Sequence, residues 1–373
     1  MRACIIGAGL SGSLLAWRLG QAGGVDWRID LILGVPHPTG RADATAASGG
    51  AVRAYETDPR QRRLAIDSLA ELLASPTLRD WAGYQPTGSA YVRSNSADLP
   101  GAVAEIEEAV PGSAQVVTAD DLAAAGWTGL PQAATAVLES AAGYTSPARL
   151  RESVLADGGL RGRVAVHEVT VDRVSTLDNG TLACQWAGET HEYDLVVAAT
   201  GPWTRAFLQA SGLPTEGYRT KVVQYAVHPA NGWLPPAFVD ETSGLFGRPT
   251  ADGGLLLGLP TDHWDLDPDT QPDSSALRER AAELARQRFP RLDIGPAGQP
   301  FGSADCYCDP PILSLRPVLN SASQAVPWLF TFTGGSGGSA KTALAASSRA
   351  AADLVTSGAA SELIASGHRR GHS

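Results

Sequence analysis

An α/β fold follows from three stretches of this 373-residue chain. The first is the short apolar strand Ala3–Ile6, which runs straight into Gly7-Ala8-Gly9-Leu10-Ser11-Gly12 and a helix pattern. The second is the apolar run Leu195–Ala199, leading into Thr200-Gly201-Pro202-Trp203. The third is the strand Trp328–Thr333, followed by a glycine loop over 334–339 and a helix pattern over 340–355. A strand that ends in a glycine turn thus recurs at the start, in the middle and near the end. The first of these stretches predicts a Rossmann-like dinucleotide-binding unit at the head of an α/β fold.

The elements justify this in order. Leu14, Leu15, Ala16 and Leu19 fall at helical spacing, Gly20 and the Gly23-Gly24 pair stop the helix, and a second strand spans 28–33. Strand, turn, helix and strand fit within about 35 residues, the size of a βαβ unit. A loop of small residues covers 39–52, and a helix over 59–74 carries Leu64, Leu69, Leu72 and Leu73 on one face. The stretch 80–140 is mixed, with a strand at 89–93 and a capping pattern at Thr118-Ala-Asp-Asp. Pro147 suits the first turn of a helix. Alternating segments follow at 164–174 and 182–186. Residues 218–262 are β-rich, 275–288 form an amphipathic helix, 295–300 read as a linker and the polar tail 366–373 as frayed. The predicted division places 1–78, 141–215 and 301–373 in the dinucleotide domain, and 79–140 and 216–300 in the substrate domain.

Composition narrows the function. Twenty-nine basic residues against 39 acidic ones give a net charge of −10, which argues against a nucleic-acid or anionic-membrane partner. With 43% hydrophobic and 18% charged residues, the chain can bury a sizeable core. Four cysteines make no disulfide framework, and no apolar run reaches the ~18 residues of a membrane span. The opening stretch is too short and too interrupted by glycine for a secretory leader. The expectation is a cytoplasmic monomer or homodimer that acts on a small molecule, with no metal site.

In the glycine turn, Gly7 permits the tight bend, Gly9 lets the backbone approach a pyrophosphate and Gly12 allows close packing of helix on strand. The helix start, with Leu10 and Ser11, offers N–H groups and a positive dipole end to phosphate. One expected element is missing. The ribose-binding acid that usually ends the second strand is replaced by Gly34, and Asp30 lies too early in that strand to serve.

Taken together, the three signatures resemble those of FAD-dependent oxidoreductases of the D-amino-acid oxidase superfamily, which includes glycine oxidase and sarcosine oxidase. The resemblance covers most of the chain and implies a Rossmann-like FAD-binding domain interleaved with an antiparallel β-rich substrate domain, FAD as cofactor, and oxidation of a C–N bond in an amine or amino acid to an imine by hydride transfer to flavin N5 with dioxygen as acceptor. It implies that Val169 meets the adenine, that the 39–50 loop with Ser48 and Gly49 lines pyrophosphate and flavin, and that Thr200, Gly201 and Trp203 lie beside the cofactor. The loop Gly335-Ser336-Gly337-Gly338 and Lys341 would meet the flavin ring. Arg53 and Lys341 resemble a substrate-carboxylate clamp, with Tyr307 completing the catalytic set; surface ion pairing is the other reading of the two cations. Cys306, in Asp305-Cys306-Tyr307-Cys308, resembles a cysteine that attaches FAD covalently, against the alternative of an ordinary thiol near the flavin. Tyr225 and Phe246 are further candidates for an aromatic pocket. Departures from sarcosine oxidase are the wholly apolar Gly253–Gly258 where that family has a lysine, Pro260 in place of a histidine and Gly50 in place of a flavin-covering arginine. Two other readings stand beside the first: a monooxygenase or dehydrogenase using NAD(P)H or another electron acceptor, and a non-catalytic dinucleotide-binding subunit.

Overall fold

The computed structural model describes residues 1–22, 27–34, 43–94, 98–160, 162–270, 274–298, 300–335 and 337–369. Among these, two large sheets organise the chain. The first has six strands in the order Ser314–Leu319, Ala325–Thr333, Leu195–Ala198, Arg2–Ile6, Arg28–Ile32 and Val164–His167. All neighbours are parallel except the first pair, which is an antiparallel hairpin. Strand Arg2–Ile6 lies centrally, its apolar residues buried on both faces as a parallel sheet demands. The helices Leu10–Ala22 and Ala343–Arg369 pack together on one face, sharing a core with Ile5, Leu31, Val197 and Phe332. The other face is covered by a three-stranded meander, Arg173–Thr176, Leu182–Trp186 and Glu189–Tyr193, around Cys4, Cys184 and Trp186.

The second sheet has eight strands in the order Pro300–Cys308, Tyr218–His228, Leu255–Gly258, Leu245–Pro249, Ala237–Asp240, Ser89–Arg93, Thr135–Glu139 and Ala114–Thr118. It is antiparallel save for one parallel pair, Ala237–Asp240 with Ser89–Arg93. Its outer face packs Phe238, Leu245, Leu255 and Leu257 against helix Ser275–Arg288. A buried ion pair fastens that helix: Arg288 Nη2 lies 2.7 Å from Asp240 Oδ2, and Asp240 also accepts from the hydroxyls of Thr242 and Ser243.

Local chemistry explains most boundaries. Asp58 caps helix Pro59–Ala74 by accepting from the N–H groups of Arg60 and Gln61, with proline in the first turn. Thr118 and Asp121 form a reciprocal capping box at helix Ala119–Ala124. Three expectations shift. The alternating stretch 164–174 is two strands of different sheets, with Val169 in the connection between them. Strand Pro300–Cys308 pairs along its length with Tyr218–His228 of the larger sheet, although residues 301–308 fall within the segment assigned to the dinucleotide domain. The last helix continues to Arg369, where a frayed tail was expected from 366.

Candidate active site

The glycine turn is closed by backbone approach. Gly7 has φ +106°, and a Cβ there would lie 2.4 Å from the Ala199 carbonyl oxygen; one on Gly12 would lie 1.9 Å from the Gly7 oxygen. Helix Leu10–Ala22 therefore starts hard against the end of strand Leu195–Ala198, which no side chain would permit. Thr45 Oγ1 accepts from the Leu10 N–H at 2.9 Å and so ties the small-residue loop to the helix start.

From this start an open cleft runs between the two sheets. Its floor brings together Gly9, Leu10, Ser11, Ser48, Gly49 and Gly201, all predicted cofactor residues, and its far end holds Cys306 and Gly337. Gly7, Gly12 and Thr200 stand immediately behind the floor as packing residues. Gly335 donates its N–H to Cys308 Sγ at 3.2 Å, and Gly338 accepts from Lys341 Nζ, so both shape the loop from outside the cleft lining. Val169 and Trp203 also lie outside that lining, and Trp203 is partly exposed. Ser336 lies outside the described residues, as do 39–42 of the small-residue loop.

The opposite wall is the inner face of the eight-stranded sheet. Cross-strand register places Arg248 beside Leu256, Phe246 and Tyr225 beside Gly258, Tyr225 beside Phe301, Val223 beside Ser303 and Lys221 beside Asp305. Alternation puts these side chains on one surface. Val223, Ser303 and Asp305 line the cleft directly. Gly337 docks on this wall, where a Cβ would come within 2.8 Å of Tyr307 Oη, 3.6 Å of Val223 and 3.7 Å of Asp305 Oδ2. Its N–H donates to Tyr307 Oη at 2.9 Å. Tyr307 is held in turn by an edge contact with Trp264, over which the ammonium of Lys221 rests at 4.7 Å.

Asp305 was missed as a functional residue in the sequence, where only its place beside the cysteine pair marks it. Among the described residues its carboxyl has no hydrogen-bond or ion-pair partner, and burial pushes its pKa up to about 7. Cys306, one residue on, is also raised by burial, to about 12, and its thiol therefore stays protonated at neutral pH. Cys308 packs behind the glycine loop, its sulfur within 3.4 Å of the Pro310 carbonyl.

The expected carboxylate clamp has a different geometry from the one its residue types suggested. Arg53 and Lys341 do converge, but on an internal acid: Glu56 Oε1 lies 2.8 Å from Arg53 Nη2 and 2.9 Å from Lys341 Nζ. All three are largely buried. Burial alone would raise Glu56, yet the two cations hold its carboxyl below the ordinary value; burial likewise lowers Lys341 against the pull of Glu56. Close by, the buried Glu139 accepts from the N–H groups of Ala54 at 2.6 Å and Tyr55 at 2.9 Å. Both cations thus meet one acid, Glu56, while burial raises Glu139 against the two N–H groups that hold it. Asp30 is similarly committed, to Arg2, His167 and Tyr193 at 3.0, 2.9 and 2.8 Å, which removes it from ribose recognition. Among the described residues no group of side chains could hold a metal ion.

The family model "FAD dependent oxidoreductase" matches residues 2–354. The chain belongs to that family. This oxidoreductase is similar in fold to glycine oxidase from Bacillus cereus, with a TM-score of 0.69 at 15% identity over 95% of each chain. It is equally similar to L-proline dehydrogenase from P. horikoshii, with a TM-score of 0.72 at 15% identity over 96% of this chain and 93% of the other. A curated relative, the tRNA 5-methylaminomethyl-2-thiouridine biosynthesis bifunctional protein MnmC of Delftia acidovorans, is 27% identical over 326 residues. The match takes in 80% of this chain and 48% of that one, so this chain spans about half the length of its curated relative. The cleft fits the family's cofactor: its glycine cradle excludes side chains at the helix start, and its length reaches from there to the C-terminal loop. No described helix is long and apolar enough to cross a membrane.

Proposed function

We propose that this oxidoreductase oxidises the C–N bond of a small amine or amino acid to an imine, with dioxygen as the final acceptor. The observation that carries the reading is the convergence of the three glycine segments on one cleft, which the inner face of the eight-stranded sheet closes at Val223, Ser303 and Asp305. Bound FAD would supply the hydride acceptor. Gly9, Leu10 and Ser11 at the helix start would hold its pyrophosphate, Ser48, Gly49 and Gly201 its middle, and the Gly337–Ala340 segment its flavin end.

The chain's own part is positioning and electrostatics. No described histidine lines the cleft, so the amine is read as entering neutral rather than being deprotonated by the protein. Asp305 holds a proton below about pH 7 and carries a negative charge above it, beside Gly337. The protonated Cys306 supports a cofactor held without a thioether, because attachment chemistry needs a thiolate. The net charge of −10 speaks against a tRNA substrate, the class named for the curated relative.

Purified protein is expected to be yellow, and anaerobic screening of amino acids and cyclic amines is expected to bleach it. A colourless preparation that takes up no FAD rejects the reading, and bleaching by NADPH without any amine replaces it with a reductase-type activity.

A further inference from the structure

Among the described residues that line the cleft, Asp305 is the only one that carries a charge, and Cys306 is the only other one that titrates. No cation lines it. Asp305 has no hydrogen-bond or ion-pair partner among the described residues, and a Cβ on Gly337, in the segment read as the flavin end, would lie 3.7 Å from its Oδ2. Lys221 and Arg248 share the sheet face, yet both are occupied outside the lining. Lys221, opposite Asp305 in the register, rests its ammonium 4.7 Å above Trp264 and 5.9 Å from the Tyr307 ring. Arg248 donates to the carbonyls of Gly49 and Pro249. The remaining titratable groups around Asp305 are committed as well. Burial keeps Cys306 and Tyr307 protonated, each raised to about 12, and Arg219, opposite Tyr307, is paired with Asp265 at 2.6 Å. The described glycines of the facing loop carry no charge.

A carboxylate alone in a cleft is costly to desolvate and gains most from a cationic ligand, which the field of a single negative charge also draws in. The cofactor leaves it unanswered, because the charges of FAD are those of its phosphates and are negative. A nitrogen held there as ammonium keeps its lone pair on a proton, so it is not the nitrogen whose C–N bond is oxidised. The ligand then needs two nitrogens. We propose that Asp305 is the cation-recognising residue of this cleft, and that the substrate is an aliphatic diamine without a carboxylate, oxidised at one nitrogen while the other docks on Asp305 as ammonium. The assignment rests on the amine-oxidising reading for its reaction, whereas its binding test does not depend on turnover.

The probes are benzamidine, benzamide and benzoate, which share a shape and differ in charge, titrated calorimetrically into FAD-loaded protein. At about pH 8 wild type is expected to bind benzamidine at least tenfold more tightly than benzoate. Asp305→Asn is expected to lose that preference, with benzamide binding and FAD content within twofold of wild type. In wild type, benzamidine affinity is expected to rise roughly tenfold from about pH 6 to about pH 8, because Asp305 ionises near pH 7. That series needs no variant and decides even where Asp305→Asn fails to fold. The assignment is overturned if wild type binds no benzamidine at millimolar concentration, if the pH series is flat, or if Asp305→Asn keeps the preference. Anaerobic bleaching by putrescine, butylamine and alanine tests the substrate class. Putrescine is expected to bleach fastest, with Asp305→Asn raising its KM more than it lowers kcat; butylamine or alanine bleaching as well as putrescine overturns the diamine. If benzamidine binds through Asp305 while no amine bleaches the flavin, the amine-oxidising reading fails and the cation site stands.

Discussion

Two charged regions flank the cleft and differ in how their charges are answered. Behind the floor, Arg53, Lys341, Glu56 and Glu139 are buried and bonded to one another or to backbone N–H groups. On the sheet wall, Asp305 has no partner among the described residues and Arg248 has only carbonyls. The closed set is answered internally, because both cations meet Glu56 and Glu139 meets two backbone N–H groups, which ties Lys341 and Glu139 to the 53–56 segment. The open set is expensive to keep apart, and such expense concentrates where a ligand is to complete it. Residue type alone would have ranked the regions the other way round, since a lysine and an arginine close together look like an anion site.

The sharpest way to break this contrast is Glu56→Gln, which strands two buried cations. It is expected to cost about 3–5 kcal/mol in urea unfolding, while Arg248→Met costs far less. A loss no larger than that of Arg248→Met would show that the floor network is not the closed structural set described here. Next in size is Gly337→Ala, whose Cβ meets Tyr307 Oη at 2.8 Å. FAD affinity is expected to fall roughly tenfold, about 1.4 kcal/mol, with partial recovery in the Gly337→Ala/Tyr307→Phe double variant, read by equilibrium dialysis.

Asp305→Asn tests the wall by pH. The folded pKa, near 7, lies above the usual carboxyl value of about 4, so the folded state binds the extra proton and the group's contribution to stability is lost as pH rises through that window. The variant should therefore melt a few degrees higher than wild type at pH 8 and match it at pH 4. In wild type the flavin midpoint potential should steepen by at most about 30 mV per pH unit near pH 7, a bend absent from the variant. A straight wild-type plot would place Asp305 away from the redox centre. The smallest effect is expected from Cys306→Ser: acid precipitation should release the yellow colour into the supernatant from both proteins. Colour retained in the wild-type pellet and lost in the variant would establish a thioether.

The sequence was most legible where function depends on the absence of side chains. Gly7, Gly12 and Gly337 occupy points of backbone or ring approach, and such points leave a mark in any single sequence. Helices 59–74 and 275–288 and strands 89–93 and 182–186 were legible because their apolar spacing is local. Partnership was not legible. Glu56 lies only three residues from Arg53, yet its reach to Lys341 depends on the last strand and loop folding back 285 positions later (341 − 56). Asp305 looked ordinary because its importance lies in contacts it does not make. The eight-stranded sheet, whose strands come from four separated stretches of chain, sets which residues share a wall, and no local pattern encodes that order.

The strand Ala325–Thr333 hydrogen-bonds to Leu195–Ala198, which in turn lies beside the first strand. The glycine turn at 7–12 therefore shares a sheet with a strand that begins only at residue 325. A chain truncated before 325 would keep the glycine turn and the strand beside it but lack the next strand of the sheet and the glycine loop that follows it. Such a truncated chain is expected to hold FAD far less tightly than the intact one, read by the flavin retained after gel filtration.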